Sequence, residues 1–190
     1  MKSDLDPRVI RTRKLIMKAF NKLSTQKEIN AITVKDITKE AAVNRATFYY
    51  HFKDKMDLID TILAEDLKVH VINRLNAYQI ITKEAIEDVF VSLLHFQRDI
   101  VTRYQKNNPF CLSSIEETVK FELTQQFYQR FAESYPYFSE QRLKLSATMV
   151  SWALYGAVED LKNDPAVSSK ELVETIASII IKGMNANHRE

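Results

Sequence analysis

Apolar positions recur with a helical period along almost the whole chain. After Asp6-Pro7, a cap residue followed by proline at its favoured first helical position, Val9, Leu15, Ile16, Ala19, Phe20 and Leu23 mark a helix to about residue 26. Thr33, with Asp36 three residues on, reads as a capping box for a short helix in which Val34, Ile37 and Ala41 share one side. A break at Ala42-Val43 leads to Asn44, a good N-cap, and to a second short helix from Arg45 to about His51. Asp54 then caps a long helix running through Met56, Ile59, Ile62 and Leu63 to about Ala77. Further helices are predicted over 82–106, 113–133, 139–162 and 168–187, with Ser113/Glu116 and Ser168/Glu171 as capping boxes.

Composition narrows the class. The 190 residues include 2 glycines, where an average usage of roughly 7% would give about 13. With Gly156 and Gly183 alone, neither a Walker-type phosphate loop nor a GxGxxG turn can be written, and tight hairpins are disfavoured. An all-α protein is expected. The single Cys111 excludes an internal disulfide framework, and the four histidines lack zinc-type spacing, so no metal, cofactor or catalytic residue is expected. The charged N-terminal stretch and the absence of any run near 18 apolar residues predict no signal peptide, no membrane partner and a cytoplasmic location.

The net charge of +2 conceals a polarity. Residues 1–60 hold 13 basic and 8 acidic side chains, net +5, against 14 and 17, net −3, in the remainder. A basic N-terminal third is a usual footprint of nucleic-acid contact, though it also suits a solvated helix face.

The two short helices and their turn form a helix-turn-helix, whose second helix is expected to enter a DNA major groove. At about 100° per residue, Phe48 and Phe52 point to the core. Arg45, Ala46, Thr47, Tyr49 and Tyr50 turn outward or to the flanks. Two outward tyrosines and a threonine suit phosphates and base edges, the plainer reading being that the tyrosines pack on neighbouring helices.

The stretch ITVKDITKEAAVNRATFYYHFKDKMDLI resembles the signature of the tetracycline-repressor (TetR/AcrR) family of bacterial transcriptional regulators. That resemblance implies an all-α fold in which an N-terminal three-helix domain, residues 1–53, is joined by a long helix to a helical ligand-binding and dimerisation domain, 54–190. It also implies phosphate contacts at Thr33, Tyr49, His51 and Lys55, and base-facing positions at Arg45, Ala46, Thr47 and Tyr50. The chemistry agrees, since Lys55 supplies a point charge and Arg45 suits guanine O6 and N7. His51, on the flank of the reading helix, also fits a core position. Ala42 stands where the family usually has glycine; a positive φ there would cost an alanine roughly 1 kcal/mol.

The C-terminal two thirds is rich in aromatic residues, which at helical spacing are more often core than ligand cage. The family implies a pocket for a largely apolar small-molecule effector, with Arg98, Arg103, Glu122 and Tyr155 as candidate polar contacts. It further implies a homodimer through the last two helices, with Met149, Ala153, Gly156, Ile176 and Ile180 in the seam, where simple internal burial is the alternative. The expected function is therefore a ligand-responsive repressor that binds a palindromic double-stranded DNA operator as a two-fold dimer and is released by a small molecule. A co-activator or scaffold that uses the N-terminal domain on a protein partner is the alternative. A di-metal carboxylate bundle would need paired Glu-x-x-His motifs, and the sequence has none.

Overall fold

The computed structural model describes residues 6–104, 109–161 and 170–185, and every regular element among them is helical. In order these are α1 (Pro7–Ser24), a 3-10 turn (Ile29–Ala31), α2 (Val34–Glu40), α3 (Arg45–His51) and α4 (Lys55–Leu67). A π-helical segment (Lys68–Ile72) and α5 (Asn73–Asn76) follow, then α6 (Lys83–Tyr104), α7 (Pro109–Ser134), α8 (Glu140–Leu161) and α9 (Lys170–Asn185). No described helix is long and apolar enough to cross a membrane.

The chain divides into two compact units, Met1–Leu63 with Val101–Ser114, and Ala64–Ile100 with Ile115–Glu190. The division falls inside α4, α6 and α7, so three helix backbones run from one unit into the other.

In the first unit Asp6 caps α1 by accepting from the Arg8 amide, with Pro7 at the position that needs no donor. Ile16, Phe20, Ile37, Phe48, Phe52, Leu58, Ile59 and Ile62 are buried together in its core. Each such side chain contributes about 1.5–3 kcal/mol through burial. In the second unit α7 buries Ile115, Val119, Leu123, Phe127 and Phe131 at every fourth position, one turn apart. Phe90 and Leu93 of α6, Leu154 and Val158 of α8 and Ala177 of α9 supply further core.

Three sequence expectations are corrected. Leu15 is exposed and Met17 buried, because on a 100° wheel Leu15 falls well away from the Ile16–Phe20 face. The helix expected to run unbroken from Asp54 to Ala77 contains the π-helical segment, although Asp54 does cap it, Oδ1 accepting from the Met56 and Asp57 amides. Helix α7 begins at Pro109 and not at Ser113, since proline is tolerated in a first turn whose amides lack helical partners. Ser168, expected to cap the last helix, lies outside the described residues.

Candidate nucleic-acid interface and effector region

Helix α3 is held from both ends. Asn44 Oδ1 accepts from the Thr47 amide at 2.7 Å and from the Thr47 hydroxyl at 2.9 Å. At the other end, the Arg13 guanidinium donates to the His51 carbonyl at 3.5 Å and to Thr61 Oγ1 at 3.3 Å, and lies 4.8 Å from the centre of the Phe52 ring. Arg13 was not among the expected functional residues, yet the signal was present: it stands on the Val9, Ile16, Phe20 side of α1, where a cation needs partners.

With Phe48 and Phe52 buried beneath, α3 exposes Arg45, Ala46, Tyr49 and Tyr50, while Thr47 and His51 are half-buried. The two tyrosines are 46% and 62% exposed, so neither is covered by a neighbouring helix of the described chain. Arg45 Nη2 donates to the Tyr49 hydroxyl at 3.2 Å, and the guanidinium lies 5.6 Å from the ring centre. One turn of helix therefore presents a pre-oriented cation beside two phenol groups, a combination suited to phosphate oxygens and base edges.

The expected phosphate contacts differ in what they already hold. The Thr33 hydroxyl donates to Asp36 Oδ2 at 2.7 Å, and the Thr33 amide donates to the same oxygen at 2.9 Å. With Lys27 at 2.9 Å as well, the Asp36 carboxyl is held far below the usual carboxylate range, the Thr33 hydroxyl bond being the largest cause. Lys55 Nζ donates to the Ile29 and Ile32 carbonyls at 2.9 and 3.0 Å, closing the 3-10 turn ahead of α2. Burial, reinforced by the Arg13 charge, lowers the His51 imidazole pKa below its ordinary value.

The turn between α2 and α3 carries strain. Ala42 has φ of +53°. Its amide donates to the Lys39 carbonyl at 3.3 Å and the Val43 amide to the Thr38 carbonyl at 3.0 Å, the pair of bonds of a Schellman helix end. An L-residue loses about 1–2 kcal/mol in this left-handed region, and glycine returns part of that as unfolded-state entropy. Ala42→Gly is expected to stabilise the protein by roughly 1 kcal/mol and raise Tm by about 2–4 °C in thermal unfolding followed by circular dichroism. A lowered Tm would show that the methyl group is needed more than the strain costs.

In the second unit, Tyr155 of α8 is buried, and its hydroxyl pKa is pushed up by burial and then by Glu159. The side chain of Gln97, which adjoins that hydroxyl, is itself buried and its Nε2 has no hydrogen-bond partner. Gln97 is a second residue that sequence reasoning missed, although it stands four residues after Leu93 on the apolar stripe of α6. Arg98 and Glu122 are half-buried, and Arg103 falls outside the residues whose side chains are described.

An apolar cavity of about 310 Å³ lies between α7, α8 and α9, lined by residues that include Phe131, Phe138, Leu143, Met149, Ala153 and Ile180. None of Arg98, Glu122 and Tyr155 lines it. Of the positions expected in a dimer seam, Met149, Ala153 and Gly156 are exposed on α8, Ile176 is half-buried and Ile180 is buried. The neighbouring Ile179 is 67% exposed.

Residues 16–62, from α1 through α3 into α4, match the description of bacterial regulatory proteins of the tetR family. A 60-residue stretch is 40% identical to the uncharacterized HTH-type transcriptional regulator YxbF of Bacillus subtilis (strain 168), covering 31% of this chain and 16% of that protein. Among solved structures, the TetR family repressor AlkX from Dietzia sp. strain DQ12-45-1b has a TM-score of 0.62 at 18% identity, over 88% of this chain and 97% of that one. Salmonella enterica GusR has 0.59 at 16% identity, over 96% and 98%. A TetR variant from Acinetobacter baumannii AYE, in complex with minocycline, has 0.56 at 14% identity, over 92% and 97%. At such identities these structures share the fold.

Proposed function

We propose that the chain, whose residues 16–62 match the tetR family of bacterial regulatory proteins, is a repressor that binds a palindromic DNA operator as a two-fold homodimer and is released by a small molecule. The observation that carries this reading is α3, whose exposed Arg45, Ala46, Tyr49 and Tyr50 ride on buried Phe48 and Phe52. Arg45, Ala46, Thr47 and Tyr50 face the bases. The Thr47 hydroxyl proton is taken by Asn44, which leaves its methyl group for apolar contact with thymine. Tyr49, His51, Lys55 and Thr33 face phosphates, Lys55 and Thr33 while also fixing the turn and the start of α2.

A two-fold dimer sets its two reading helices about one DNA turn, or a multiple of it, apart and demands inverted half-sites. Selecting duplexes from a random pool and sequencing them tests the reading: an inverted repeat is expected, and enrichment of no sequence would sink it. The released state needs a ligand that prefers a conformation with the reading helices wrongly spaced. A largely apolar effector among residues 82–162, with Tyr155, Arg98 and Glu122 as polar contacts and the buried Gln97 beside them, suits that role. The backbones of α4, α6 and α7 each run through both units and are the routes open to the signal, α4 being the one that follows α3 directly in the chain.

His51 makes operator affinity depend on pH. Its lowered pKa leaves it neutral near pH 7, and a phosphate beside it would offset Arg13 and favour the cation. Affinity is therefore expected to rise as pH falls from 7.5 towards 6, by at most about tenfold per pH unit per half-site. The free protein behaves oppositely: its unfolded state takes the proton first, so stability falls as pH drops below 6.5. His51→Gln should flatten the affinity profile at constant ionic strength. A profile unchanged in that variant would remove His51 from the phosphate contacts.

A further inference from the structure

Among the described residues that line it, the cavity between α7, α8 and α9 is apolar around one cation. Its lining includes Phe131 and Tyr135 at the end of α7, Phe138 from the following loop, and Met149 and Ile180 from α8 and α9. Tyr135 stacks on Phe138 with ring centres 5.0 Å apart, and Phe131 continues the series at 6.2 Å from Tyr135. The charged group in the lining is Arg142, whose guanidinium carbon lies 3.7 Å from the centre of the Phe138 ring. Ser146, one turn on along α8, adds a hydroxyl. The volume of about 310 Å³ is within the range of small-molecule sites, roughly 300–1,000 Å³, which pair apolar walls with a few placed polar groups.

From this arrangement we infer that the groove binds a medium-chain carboxylate, its hydrocarbon chain against Phe131, Phe138, Met149 and Ile180 and its head on Arg142. An alkyl chain suits the aromatic floor, and a carboxylate is the group that a guanidinium holds best at the edge of an apolar surface. The site lies apart from Tyr155 and the effector contacts proposed above, none of which lines it. Met149, Ala153 and Ile180 belong both to this groove and to the proposed seam. Resting on that reading of the seam, the ligand and a second copy of the chain compete, so the carboxylate weakens the dimer.

The test uses the full chain, with octanoate and 1-octanol titrated calorimetrically. Octanoate should bind the wild type about tenfold or more tightly than 1-octanol, the margin that a charge-assisted hydrogen bond supplies. Arg142→Gln should erase that margin while 1-octanol binding persists, and Ser146→Phe, which fills the groove, should remove both; circular dichroism checks that each variant is folded. Sedimentation at saturating octanoate should show a dimer dissociation constant raised by the square of the factor by which dimerisation weakens octanoate, since each dimer carries two grooves. No octanoate binding, equal binding to Arg142→Gln, or a dimer indifferent to bound octanoate would each overturn the proposal. A chain that stays monomeric at every concentration would instead sink the seam, and the titrations would still judge the groove.

Discussion

The double variant Met149→Glu/Ile179→Asp is expected to sediment as a folded monomer and to lose 10²- to 10⁴-fold in operator affinity, roughly the advantage of tethering a second half-site. Met149 and Ile179 are 64% and 67% exposed, so neither contributes to the core of its own unit. Placing charge at two such positions in a monomer costs within about 0.5 kcal/mol each. In a two-fold seam each charge would be buried without a partner, at about 3–5 kcal/mol. Ile180 is a poorer choice, because it is buried within the unit and Ile180→Asp would strike the fold as well as the assembly. Sedimentation velocity and fluorescence anisotropy on the selected operator read the two effects separately. A double variant that remains dimeric would put the seam elsewhere.

Arg45→Ala carries the second large effect. The side chain is exposed at the first position of α3 and is aimed by its bond to the Tyr49 hydroxyl, so it reaches a base edge without first giving up a buried partner. A bidentate contact to guanine discriminates by about 1–3 kcal/mol. Two half-sites make that roughly 2–6 kcal/mol, or about 30-fold to more than 10⁴-fold in affinity. The loss should be confined to sites with the preferred base at one position of each half-site, and the variant should accept other bases there. A uniform loss across all sequences would class Arg45 as a phosphate contact. Tyr49→Phe gives a graded comparison, since the ring remains beneath the guanidinium while the hydroxyl that steers it is gone.

The first unit was largely legible in the sequence because its signals are local. Thr33 with Asp36, Asn44 before Arg45, and Asp54 before the next helix are caps whose chemistry acts within three residues, and the structure forms all of them. Phe48 and Phe52 were placed inside by periodicity alone. What escaped depends on contacts distant along the chain: Arg13 reaches 38 residues to the His51 carbonyl, and Lys55 reaches back 26 to that of Ile29. The place of Arg13 on the buried side of α1 shows that it needs a partner, but the spacing of neither donor names the carbonyl it reaches. In the second unit periodicity gave the helices, but not which aromatic residues turn inward. On α7 Phe127 and Phe131 are buried whereas Phe121 is exposed, and on α8 Tyr155 is buried whereas Trp152 is exposed. The apolar groove was equally invisible, since it is made by three helices meeting, and its arginine looks in sequence like any solvated cation.

The left-handed alanine between the two short helices has a genetic consequence. Alanine and glycine codons differ only at their second base, so the residue that relieves the strain at Ala42 is one nucleotide change away from any codon the gene uses there. A point-mutant library selected for heat tolerance reaches it in a single step. Stabilising changes of this kind are easily found in natural proteins and are often costly to function. Here the change also frees the angle at which α3 leaves α2, so the same selection doubles as a screen for loss of operator control.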